Sequence, residues 1–147
     1  MGLTSLESFD HFVAINRRNY DTYRQALSGL RGVELLTYQD GDTPNFGYVA
    51  VELDEGQVGL GRDAVYRCLH AENVLARRYF YPGCHRMEPY RTLFPEASLK
   101  LPHTEAVARR ILIFPTGTGV EPATVDSICG LLGFFIEHAP EIRARLS

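Results

Sequence analysis

Leu6, Phe9, Val13, Asn16, Tyr20, Tyr23 and Leu27 recur every three or four residues, a mostly apolar stripe that predicts a first helix. Thr4-Ser5-Leu6-Glu7 has the spacing of a capping box for its start, and Gly29 supplies a stop. Asp10, Arg17, Arg18 and Asp21 fall on the other side and predict a solvated face. The period then shortens. Val33 to Tyr38 predicts a strand, and Asp40-Gly41-Asp42-Thr43-Pro44-Asn45 is a dense run of turn formers. Phe46 to Leu53, rich in aromatic and β-branched residues, predicts a second strand.

Further along, Arg62 to Glu72 predicts a helix with Val65, Cys68 and Leu69 inward, and Val74 to Tyr81 predicts a strand that Pro82-Gly83 breaks. A loop to about Pro102, with one turn near Pro89 to Leu93, leads to a short helix over 103–109 and a strand from Ile111 to Phe114. A last long helix starts near Glu121. Two glycine pairs, Gly59-Leu60-Gly61 and Pro115-Thr116-Gly117-Thr118-Gly119, precede helices. Neither has the full spacing of a dinucleotide fingerprint, and Glu121 would repel an anion from the second, so both are expected to be plain loops. The order of elements predicts one α/β (α+β) domain spanning 1–147. A small mixed or antiparallel sheet should carry helices packed on it, because a turn-rich loop joins the early strands.

Composition narrows the classes. The net charge of −3 argues against a nucleic-acid partner, whose footprint is a basic excess. The longest apolar stretch, near Ile128 to Ile136, falls short of the roughly 20 residues of a membrane span. No basic region and apolar leader opens the sequence, and Cys68, Cys84 and Cys129 have no metal or redox spacing, so a cytoplasmic protein with free thiols is expected. Fourteen of the 15 basic residues are arginine, and the single lysine is Lys100. Arginine forks suit phosphate and carboxylate.

Arginines, aromatics, a histidine and a cysteine gather between Ala71 and Arg91. On a strand, Arg77, Tyr79 and Tyr81 would share one face and Arg78 and Phe80 the other. Two readings fit: aromatic core packing with solvated arginines, or a site edge where an arginine holds a phosphoryl group and tyrosines with His85 bind a polar ligand. Cys84-His85 lacks an evident group to orient the histidine, and no second pair offers metal-site spacing.

The run Asn73-Val74-Leu75-Ala76-Arg77-Arg78-Tyr79-Phe80-Tyr81-Pro82-Gly83-Cys84-His85, with Glu88-Pro89-Tyr90, resembles a segment of the DegT/DnrJ/EryC1/StrS sugar aminotransferases. Other pieces follow that family's order: Gly2-Leu3-Thr4-Ser5-Leu6, Asn16-Arg17-Arg18-Asn19-Tyr20, Gly61-Arg62-Asp63, Leu101-Pro102-His103-Thr104-Glu105 and Phe114-Pro115-Thr116-Gly117. The resemblance implies the small C-terminal domain of a fold-type I enzyme. Such an enzyme is normally a homodimer using pyridoxal phosphate (PLP) to aminate a keto-sugar on a nucleoside diphosphate. It implies that the Schiff-base lysine and main cofactor contacts lie in a large domain upstream, so no PLP is expected on this chain alone and Lys100 is expected at the surface. By the same resemblance Tyr81 and His85 lie near the sugar and Arg77 or Arg78 toward the diphosphate. The partners it implies are the nucleotide sugar, the large domain or a full-length relative, and further copies of the chain.

Overall fold

The computed structural model describes residues 6–39 and 41–146. Thr4 and Ser5 of the expected capping box, and the Gly2-to-Ser5 part of the resemblance, lie outside them. Helix α1 spans Phe9–Leu27, β1 Val33–Leu35 and β2 Val49–Leu53. A single turn, α2 at Glu55–Val58, precedes α3 at Arg62–Ala71. After a long irregular stretch come a 3-10 turn at Cys84–Arg86, the short helices α4 (Tyr90–Leu93) and α5 (Ala97–Lys100), and α6 (Pro102–Arg110). Strand β3 (Ile111–Phe114), α7 (Pro122–Glu137) and α8 (Ala139–Leu146) complete the order.

The sheet is antiparallel throughout, in the order β1-β2-β3, with Val33 opposite Leu53 and Val49 opposite Phe114. Alternation along β2 sends Val49, Val51 and Leu53 into the core, where they meet Tyr20, Tyr23 and Leu27 of α1 and Val125, Ile128 and Leu132 of α7. Val65 and Leu69 of α3 join them, as the helix pattern predicts. Helices on one small sheet are therefore the observed architecture, and the antiparallel alternative is the one realised.

Several boundaries differ for physical reasons. The first half of the α1 stripe is not covered: Leu6 and Phe9 are exposed, and burial begins near Asn19 and Tyr20. The second strand starts at Val49 because Phe46 takes a left-handed backbone (φ 51°), which ends extended pairing. Asp54 caps α2, an element the sequence pattern did not suggest, by accepting from the Gly56 amide at 2.9 Å. The expected last long helix divides at His138, where Pro140 cannot donate to the ladder and instead sits in the first turn of α8. No helix among the described residues is long and apolar enough to cross a membrane.

Arg18 is more than a solvated charge. Its guanidinium donates to the Asn19 side chain and to the Val120 carbonyl, and pairs with Glu121 at 3.2 Å. Asn19, fully buried, donates to the Gly117 carbonyl at 3.2 Å, while Asn16 accepts from the Thr116 hydroxyl at 3.2 Å. Buried polar groups need such partners, and here they fasten the loop after β3 to α1. As expected of the second glycine pair, residues 115–119 form a loop, between β3 and α7.

Candidate functional site

The expected strand over 74–81 does not form. Arg77 alone bridges to β3, its amide donating to the Ile113 carbonyl and its carbonyl accepting from the Ile113 amide, both at 2.8 Å. Elsewhere the backbone donors serve local turns: Val74 bonds to Leu69, Ala76 to Val74, and Tyr81 to Arg78. Strong β propensity loses here to turn formation ahead of Pro82-Gly83. The predicted alternation fails with it. Tyr79 and Phe80, which a strand would place on opposite faces, stack with centroids 5.2 Å apart and planes 9° from parallel.

Arg77 and Arg78 are separated, as expected, but with other companions. Arg77 donates to the Tyr79 hydroxyl at 2.6 Å. Arg78 donates to Asp63 at 2.9 Å and lies over the rings of Tyr66 (4.4 Å) and Tyr81 (5.1 Å). Beneath it, the Arg62 side chain is almost fully buried, with its guanidinium 4.7 Å from the Tyr81 ring. Arg62 donates to the Ile111 carbonyl at 3.2 Å, and its Nε makes a charge contact with Asp63 at 2.8 Å without hydrogen-bond alignment. Burial lowers the Arg62 pKa, with Asp63 opposing and neighbouring Arg78 adding to the effect. Two cations and one carboxylate thus hold the Tyr81 ring over the start of α3, leaving the ring about half exposed.

His85 lies one turn further on. Its Nε2 is 2.7 Å from Glu105 of α6, and Arg86 grips the same carboxylate at 2.6 and 2.8 Å, a two-bond fork. Arg86 first, then His85, hold the Glu105 carboxyl down to about 2. Gly83 is required beside this turn: φ is 92°, and a Cβ there would lie 2.8 Å from the His85 ring. The histidine therefore has the orienting carboxylate that the sequence did not reveal. Cys84 is exposed beside it, and among the described residues no group of three metal-ligating side chains forms.

The structure thus brings Tyr81, Arg78, Arg62 and Asp63 together, joins His85 to Arg86 and Glu105, and sets Arg77 apart with Tyr79. Glu105, Asp63 and Tyr66 were not anticipated as members. Their separations from their partners, 20 and 15 residues for Glu105 and Asp63, obey no local spacing rule.

Residues 1–132 match the model of the DegT/DnrJ/EryC1/StrS aminotransferase family. The chain belongs to that family. It is 29% identical over 131 residues to the dTDP-4-amino-4,6-dideoxy-D-glucose transaminase of Escherichia coli, a match covering 89% of this chain and 35% of the relative. A crystal structure of DesI in the presence of its TDP-sugar product is 43% identical with a TM-score of 0.90, covering 99% of this chain and 36% of that one. The aminotransferase TlmJ from Streptoalloteichus hindustanus shares the fold at a TM-score of 0.80 and 24% identity, over 95% of this chain and 36% of its own. The chain spans about a third of the length of each of these relatives.

Family members use PLP, which supplies an electron sink once an amine holds it covalently. The residues here do not fit that group. Lys100 is exposed at the end of α5, in an open groove of about 470 Å³ lined by Leu93, Phe94, Pro95, Glu96, Ala97 and Leu101. No arginine or hydroxyl in that groove could take the cofactor phosphate.

Proposed function

We propose that this chain is the C-terminal, substrate-facing third of a PLP-dependent aminotransferase acting on a nucleoside-diphosphate keto-sugar. It is one domain over its whole length and supplies walls of the cleft rather than the Schiff-base amine. The observation that carries this reading is that a member of an aminotransferase family has one lysine, Lys100, and that lysine stands exposed in an apolar groove.

Within that reading, Tyr81 and His85 face the sugar. Tyr81 is held by the arginine pair, and His85 is oriented by Glu105, so both side chains are fixed before any ligand arrives. Of the two arginines, Arg78 is committed to Asp63 and two rings, which leaves Arg77 for the diphosphate. The apolar residues left outside, among them Phe80, Leu93, Phe94 and Leu99, are covered by the large domain or a full-length relative, and drive self-association when that cover is missing. Three thiols without a disulfide suit the cytoplasm.

A chimera tests the reading. With this chain replacing the matching third of DesI, turnover of that enzyme's substrate with PLP and an amino donor is expected to persist. His85→Ala in the chimera should lower kcat/KM about tenfold to a hundredfold, as loss of a hydrogen bond to a charged group does, without changing cofactor absorbance. A folded, cofactor-loaded chimera without turnover contradicts the proposal.

A further inference from the structure

The contacts that hold Tyr81 extend along α3 beyond Asp63. Arg78 lies 4.4 Å over the ring of Tyr66, and one helical turn after Tyr66 stands His70. The rings of Tyr66 and His70 meet with centroids 4.1 Å apart and planes at 37°. His70 Nε2 is 2.8 Å from the Ala76 carbonyl; a carbonyl only accepts, so that nitrogen carries the proton and donates it. Both side chains are half-buried, so neither is simply part of the closed core.

Arg78 needs such support. It lies on the irregular stretch that pairs with the sheet at Arg77 alone, and a long side chain there is free to sample many rotamers. Asp63 at 2.9 Å and Tyr66 at 4.4 Å share one face of α3, so the guanidinium is seated on that helix. The Tyr81 ring, 5.1 Å away, rests against the seated group. His70 touches both parts of this arrangement: its ring meets Tyr66, and its nitrogen ties down the Ala76 carbonyl just ahead of Arg77 and Arg78. Tyr66 acts through its ring, which is what meets His70 and Arg78.

We infer that Tyr66 and His70 are positioning residues for Tyr81: His70 steadies the Tyr66 ring and the Ala76 carbonyl, Tyr66 seats Arg78, and Arg78 sets the Tyr81 ring. The inference rests on the proposed function, in which Tyr81 faces the sugar, and deepens it by adding residues that act through others. Two measurements test it. In the full chain, nuclear Overhauser contacts between the Tyr81 ring and the Arg78 side chain read the positioning without a ligand. Tyr66→Leu should abolish them, Tyr66→Phe should restore them, and His70→Leu should weaken them, so the histidine variant carries the test if Tyr66→Leu does not fold. In the DesI chimera, Tyr66→Leu should raise KM for the nucleotide sugar about threefold to tenfold with kcat changed less, and Tyr66→Phe should return KM to within about twofold of the parent. The Tyr66→Leu, His70→Leu double variant should lose no more than Tyr66→Leu alone, as for residues acting along one route. Intact Tyr81 to Arg78 contacts in the folded leucine variants, an unchanged KM, or losses that multiply in the double variant overturn the positioning role and leave the proposed function standing. A folded, cofactor-loaded chimera without turnover removes the proposed function, and the contacts in the full chain still decide whether Tyr66 and His70 set Tyr81.

Discussion

Tyr23→Ala is expected to destabilise the fold by about 3–5 kcal/mol, the range for truncating a buried aromatic. Tyr23 is completely buried, its ring centroid lies 5.6 Å from that of Phe114, and its hydroxyl donates to the Pro115 carbonyl at 3.0 Å. Burial raises the phenol pKa well above its ordinary value, so the hydroxyl stays a neutral donor. The two contributions are separable. Tyr23→Phe keeps the ring and leaves the Pro115 carbonyl unpaired, which costs about 1–3 kcal/mol. Pro115 opens the same loop that Asn16 and Asn19 hold, so the phenylalanine variant should also raise amide exchange at Thr116 and Gly117. Denaturant unfolding of the three proteins measures both steps. Equal losses in the two variants would mean that the hydroxyl, not the ring, dominates.

Acid should loosen the His85 turn through Glu105. Its carboxyl, ordinarily near 4.5, is held at about 2 by Arg86 and then His85, so the folded state binds the proton more weakly than the unfolded chain. A depressed carboxyl contributes stability that is present above its ordinary pKa and is lost as pH falls from about 4.5 through about 2. Glu105→Gln removes both the titration and the charge that orients His85. The variant should be less stable than the parent at neutral pH and should lose less on acidification. Unfolding midpoints measured at a series of pH values for both proteins test this. Parallel acid limbs would show that Glu105 is not the group responsible.

Much of the fold was legible because it rests on local periodicity. The α3 face of Val65 and Leu69, the α1 residues Tyr20, Tyr23 and Leu27, and the alternation of Val49, Val51 and Leu53 each follow from spacing of 3.6 or 2. The stretch around Tyr79 was misread for a definite reason. Its residues favour strands, but Pro82 and Gly83 force a turn, and only Arg77 reaches a free edge of the sheet. Leu6 and Phe9 fit the helix period and stay exposed, since periodicity reports an apolar face and not what covers it. The site was legible as a cluster but not as a geometry. Arg77, Arg78, Tyr81 and His85 are consecutive or nearly so, whereas Asp63 and Glu105, which fix Arg78 and His85, arrive from α3 and α6 by tertiary folding.

No amine of this chain is expected to hold the cofactor covalently. Incubating the purified full chain with low concentrations of PLP, reducing with borohydride and mapping modified peptides by mass spectrometry tests that point directly. The predicted result is no saturable adduct at Lys100, only slow, unsaturated labelling of the kind any exposed amine undergoes. A tight one-to-one adduct at Lys100, protected by a nucleotide sugar, would contradict it.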